Sequence, residues 1–323
     1  MKQCSFSTII AIALMCMMFT SCSYVRWVGV DRLTPANIDL SERVRRVAVL
    51  SNQYEVENEG SVYYLDAKAV TDSLAQYLAD VAYFDEVVVG DTILTDGAFH
   101  KDGELLPSVV AKLCEVFGVD MLVTIDNVSF VPYGVESSFV KGQLRAEMTY
   151  YEKWGTAPIS HVQKHYTFDW EYWHELKSQA VYLAALWALP MIVPQWKLEE
   201  FPFYTGANVW QRDAAVYVRE GNWDGAANLW RQQLIHKNRR RRMEAHLNMA
   251  VYHEMRDDNV EIARTHAQKA LELSEERLKM KDGKPVETSS DYHLISEYIK
   301  EMERRGHDLE RLKQQMYRFS NEF

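Results

Sequence analysis

The chain has 323 residues, 47% of them apolar and 25% charged, with 46 acidic and 36 basic side chains and a formal net charge of −10. This is ordinary globular composition at the length of about two domains, which excludes a disordered or collagen-like chain, and the acidic balance disfavours a dedicated nucleic-acid binder. No apolar run reaches the roughly 18 residues of a spanning helix, which excludes a polytopic membrane protein.

Residues 1–21 read as a processing segment: Lys2 supplies a positive start, Ile9 to Phe19 is a short apolar run, and Phe19-Thr20-Ser21-Cys22 follows. Small residues just before a cysteine, directly after such a run, resemble the lipobox of bacterial lipoproteins. The resemblance implies cleavage before Cys22 and acylation of its thiol and new amine, and hence anchoring to a membrane, since two or three chains hold where one is marginal. The alternative is an ordinary secretory signal with an incidental cysteine. After cleavage and lipidation one thiol, Cys114, is left, and a single thiol forms no internal disulfide. Flanked by Leu113 and Val116, it reads as a buried small hydrophobe.

Residues 22–42 are expected to be a tether. The region 43–172 alternates strand and helix: a buried strand over 44–50, a helix over 65–78, a strand over 84–89, a helix opened by Pro107 and closed at Gly118, and a strand over 121–125. Strict period-two alternation over 140–150 and again over 161–170 predicts an antiparallel hairpin with one wet face. The order, with Val47-Ala48-Val49-Leu50, Phe84-Asp85-Glu86-Val87 and Gly118-Val119-Asp120-Met121-Leu122-Val123, resembles the small α/β domain of envelope lipoproteins and assembly factors such as the TolB amino-terminal domain and the curli secretion lipoprotein. Residues 173–207 are expected to be a connecting helix and linker, the helix buried and stopped by Pro190 and Pro194.

From residue 208 to 323 the spacing changes. Trp210, Ala214, Tyr217, Gly221, Ala226 and Trp230, followed by Met249, Ala250, Ala263, Ala267 and Ala270, fall at the spacing of tetratricopeptide-like helix hairpins. Small residues let paired helices approach, and Trp and Tyr fill the gaps. Tyr292, Ile295 and Ile299, a turn at Gly306, then Leu309, Leu312 and Met316 are expected to form a capping third pair. The expected fold class is therefore α+β/α with two domains, a small α/β sheet domain followed by an all-α helix-hairpin repeat domain. With the lipobox, the Thr34-Pro35-Ala36-Asn37-Ile38 segment and Pro194-Gln195-Trp196, the chain resembles a Bacteroidota lipoprotein family with tetratricopeptide-like C-terminal halves. That resemblance implies a location and an architecture and no activity.

No HExxH, GxSxG, Walker or GxGxxG motif is present. His161 and His165 lie on an expected strand, about 13 Å apart, too far for one ion. Asp91, Asp96, Asp102 and Glu104 fall in a glycine-containing loop and read as solvated. The expectation is thus no enzyme, no cofactor and no metal. Residues 1–218 carry 16 basic and 27 acidic side chains and the remainder 20 and 19, so the basic run Lys237, Arg239, Arg240, Arg241 and Arg242 stands in the less acidic part. It is either a solvated loop or a patch for anionic headgroups or an acidic partner. The expected function is a lipid-anchored scaffold or adaptor that holds an envelope protein or peptide on its repeats. The alternative is a glycan-binding accessory lipoprotein using Trp154 and Trp173. Ser23, in place of an inner-membrane-retaining Asp, and the absence of an acidic cluster over 23–27 imply, by analogy with lipoproteins, an outer-membrane anchor facing the periplasm.

Overall fold

The computed structural model describes residues 25–52, 63–64, 66–90, 100–101, 104–136, 139–170, 173–206, 208–256, 259–278 and 290–317. The chain divides into two compact units, Leu33–Trp196 with the residues after Asp308, and Lys197–Asp308 with the residues before Leu33. An N-terminal mixed α/β sheet domain is followed by a region of packed helices, as the patterning predicts.

The sheet unit centres on β2 (Arg46–Ser51), parallel to β4 (Glu86–Gly90) on one side and to β7 (Met121–Glu136) on the other. β8 (Phe139–Glu152) and β9 (Ser160–Trp170) extend the sheet antiparallel, giving the order β4-β2-β7-β8-β9, and β3 (Tyr63–Tyr64) pairs with β7 off that path. A small separate ladder joins β5 (His100–Lys101) to β6 (Glu104–Leu105). β2 is buried from Val47 to Ser51, as a central parallel strand covered on both faces must be.

On one face lies α1 (Ala67–Val81), whose N-cap Asp66 accepts bonds from the amides of Lys68 and Ala69. Its Val70, Leu74 and Leu78 pack with Val47, Val49, Met121 and Val123. α3 (Trp173–Ile192) joins the same core through Ala180, Ala184 and Ala188. That helix therefore belongs to the sheet unit's core rather than to a connector, and it continues through Pro190. On the other face α2 (Pro107–Phe117) starts with Pro at its first turn, ends at Gly118 with φ 68°, and packs Val110 and Cys114 on Ala48, Leu50 and Leu122.

β7 runs eleven residues beyond the predicted Ile125. The register shifts between Ile125 and Asn127, so Asp126 is an extra residue that reverses the in–out parity of the strand. The bulge keeps Val128 in the core with Val123 and Ile125, and it is what hides the second half of the strand from a period-two reading.

In the helical unit α4 (Val209–Arg219) and α5 (Trp223–Gln233) form one hairpin, and α6 (Arg239–Arg256) and α7 (Val260–Leu278) a second. Asn208 and Asn222 cap α4 and α5, and Gly221 makes the turn between them with φ 72°. Ala214, Ala226, Ala250, Ala263, Ala267 and Ala270 are fully buried, as the repeat spacing requires. Trp230 fills the first hairpin, but Trp210 and Tyr217 are 43% and 37% exposed, against the packing role expected for them.

Three further expectations are corrected. The tether reading fails over 25–34 and the linker reading over 195–204: these segments form β1 (Val25–Thr34) and β10 (Gln195–Tyr204), which pair with each other. Their partners are too distant in sequence for local patterning to show. The capping pair is one continuous helix, α8 (Ser290–Tyr317), with no turn at Gly306. A Cβ at Gly306 would stand 3.4 Å from Val260 Cγ1, so the glycine marks the close approach of α8 to the start of α7.

Candidate interaction surface

One face of α6, in the second hairpin, is covered by the protein's own chain. Phe201 and Tyr204 of β10 are buried with Met243, Leu247, Ala250 and Val251 of α6. The Asn248 side chain clamps this extended segment: its amide donates to the Tyr204 carbonyl at 2.8 Å and its oxygen accepts from the Tyr204 amide at 2.7 Å.

Nearby, Glu254 of α6 is 1% exposed. It accepts from Tyr298 at 2.7 Å and from Arg305 Nη2 at 3.0 Å, and Arg32 stands 3.6 Å away. The Arg305 guanidinium lies 4.6 Å from the centroid of the Phe201 ring. Burial opposes its charge, but the pairing with Glu254 outweighs that and raises its pKa. This network ties β10, α6 and α8 together.

The surface that is left open is on α4. Gln211, Ala214 and Val218 face inward, while Val209 (57% exposed), Trp210, Val216 and Tyr217 face solvent. Positions 209, 210, 213, 216 and 217 share one side of a 3.6-residue helix. The helix is thus apolar on two sides, with Asp213 the polar member of the outer one.

The basic run begins α6. Arg240 Nε donates to Glu244 at 2.9 Å, and Glu244 in turn accepts from Gln211 of α4 at 2.7 Å. Arg242 donates to the carbonyls of His236 at 2.9 Å and Lys237 at 3.3 Å, and Arg241 Nη1 lies 3.2 Å from His236 Nε2. Arg239 is half-buried and Lys237 exposed. Four arginines in a first turn oppose the helix dipole, and these bonds to carbonyls and carboxylate offset that cost. Much of the run is therefore spent on stitching α4, the preceding turn and α6.

Sequence reading missed a polar cluster in the sheet unit at the Asp126 bulge. Asp126 accepts from Asn52 at 2.9 Å, Thr124 at 2.8 Å and Thr149 at 2.6 Å. Thr149 Oγ1 also lies 2.8 Å from His161 Nδ1, so with its proton on Asp126 it accepts from His161. Burial pushes the Asp126 carboxyl up, and the three hydrogen bonds and His161 hold it down in part. The chain leads from exposed His161 to the half-buried Asp126 carboxyl and pins the end of β2 to the bulge.

The remaining candidates are dispersed. Cys22 and the loop acids Asp91, Asp96 and Asp102 lie outside the described residues, as does the Trp173 side chain. Trp154 is 49% exposed with the Arg43 guanidinium 5.9 Å from its ring centroid. Cys114 is buried, and desolvation pushes its thiol up to about 12, which leaves negligible thiolate at neutral pH. No helix among the described residues is long and apolar enough to cross a membrane.

Two family models match the chain, each described as a domain of unknown function: DUF8603 over residues 30–151 and DUF6340 over residues 212–304. No curated protein matches. Among solved structures the chain is similar to the PelC dodecamer from Paraburkholderia phytofirmans, at 14% identity over 52% of this chain and 100% of that one, with a TM-score of 0.31. A single-substitution variant of the same protein gives 15% identity, 51% and 98% coverage, and a TM-score of 0.30.

Proposed function

We propose that the protein is a lipid-anchored, non-enzymatic adaptor of the cell envelope that holds a partner protein on the outer side of α4. The observation that carries the reading is the second apolar side of that helix. Trp and Tyr standing clear of the core, with valines beside them, are the residue types that dominate binding energy at protein interfaces. A helix that has already buried one face has no internal use for another. The packing of β10 on α6 supports the choice of α4, because that face of α6 is already covered. The envelope location rests on the lipobox that ends at Cys22, and the outer membrane with a periplasmic orientation on Ser23 and the residues after it.

The test is site-specific photo-crosslinking in cells. A crosslinker at Trp210 or Tyr217 should give a discrete adduct, and one at exposed Lys269 on α7 should not. Trp210→Ala with Tyr217→Ala should abolish capture by a crosslinker at Val216. Unchanged capture by the double variant refutes the α4 surface. Cys22→Ser should move the protein from the membrane fraction to the soluble fraction, and failure to do so refutes the anchor.

A further inference from the structure

His246 on α6 and His266 on α7 are far apart in sequence and meet across the second hairpin. Their Nδ1 atoms stand 3.0 Å apart and their ring centroids 5.2 Å. His253, two turns along α6, stacks on His266 with centroids 5.6 Å apart and planes 17° from parallel. All three residues are half-buried.

Two nitrogens on one ion at about 2.0 Å are about 2.8–2.9 Å apart when they bind at a right angle and about 3.3 Å apart at the tetrahedral angle. The observed separation lies between the two, so small ring shifts reach either arrangement, and the preference among ions follows the general affinity order that places copper(II) above nickel(II) and zinc. The rings sit on two packed helices, so the bite is set by the hairpin rather than by flexible loops, and His253 restricts the rotation of His266. Neutral imidazole is also the ligand that late first-row ions prefer.

We propose that His246 and His266 form an open two-histidine site for a divalent transition-metal ion, copper(II) ahead of nickel(II) and zinc. Among the described residues no group of three or more His, Cys, Asp or Glu is arranged around one ion, so water completes the coordination and the ion exchanges readily. Arg242 and Lys269 lie near enough to oppose the incoming charge and Glu272 near enough to favour it. A bound ion crosslinks α6 to α7 and so stiffens the hairpin.

The experiment is calorimetric titration of the tag-free full mature chain, in detergent, with copper(II), nickel(II) and zinc, together with electron paramagnetic resonance of the copper form. The expected result is one copper(II) per chain with nitrogen hyperfine structure. His246→Asn and His266→Asn should each weaken binding at least tenfold, and His165→Asn on the exposed sheet should leave it unchanged. Circular dichroism keeps the variants comparable by showing that they fold. If the natural chain takes up no copper, or if either asparagine variant folds and binds it as tightly, the pair is only an N–H···N hydrogen bond and the site does not exist.

Discussion

Glu254 and Arg305 offer the sharpest test of how the helical unit is held together. Glu254→Leu leaves the 7%-exposed Arg305 side chain with Glu199 at 3.8 Å in place of its bidentate partner, and it takes the acceptor from Tyr298. Removing one member of a buried pair costs about 3–5 kcal/mol, chiefly through the uncompensated charge that remains. Glu199 offsets part of that, so a loss of about 3 kcal/mol is expected for Glu254→Leu and a similar one for Arg305→Met. In Glu254→Leu with Arg305→Met the Tyr298 hydroxyl is orphaned, at about 1–3 kcal/mol, and the partly exposed Arg32, which stands 3.6 Å from Glu254, loses that carboxylate in the double variant as in Glu254→Leu alone. The double variant should thus be no less stable than either single one. Urea unfolding followed by circular dichroism reads this out: with a slope no steeper than about 3 kcal/mol/M, each single variant should lower the midpoint by about 1 M or more. Additive losses, or single losses below about 1 kcal/mol, would refute the reasoning, because they would mean that the carboxylate and guanidinium are independently solvated.

Other perturbations should act through separate contacts. Gly90→Ala puts a Cβ 2.0 Å from Leu50 Cδ2 and 2.9 Å from Phe117 Cζ; it should destabilise by about 1–3 kcal/mol, measured by the same unfolding assay. Asn248→Ala removes both bonds to the Tyr204 backbone and should cost about 2–5 kcal/mol, with faster amide exchange at Tyr204 as its local signature. Acid should weaken the packing of residues 36–39 against the end of α8. Although burial acts the other way, bonds from Arg311 and Gln315 lower the Asp39 pKa below 3.8. The stabilisation is therefore present above pH 3.8 and lost as pH falls through the lower folded value. Asp39→Asn should flatten that acid limb, seen in the exchange of the Ala36 amide, which bonds to Gln315 at 2.8 Å.

What could be read from the sequence was what depends on local periodicity. The β8–β9 hairpin alternates because one face is wet, and α4 to α7 carry alanines where helices touch, so both stand near their predicted places. What stayed hidden depends on partners distant in the chain. β1 and β10 are separated by the whole sheet unit, and neither alternates cleanly enough to announce a strand. The Asp126 bulge shifts parity in the middle of β7 and cuts its pattern in two. Gly306 reads as a turn because nothing local shows that α7 needs the space. The same limit applies to sites. Trp210 and Tyr217 have the spacing of core aromatics, and only the packed helix shows that they point outward. His246 and His266 face each other only once the hairpin is closed.

The early start of β1 has a mechanical consequence. Val25 opens the strand three positions after Cys22, a contour of about 10 Å even at full stretch. With fatty acids on Cys22, as proposed, the molecule has almost no leash. On that proposal the start of β1 is held within about that distance of the acylated residue, and a longer spacer inserted before Val25 would let the unit that contains β1 stand farther from the lipid.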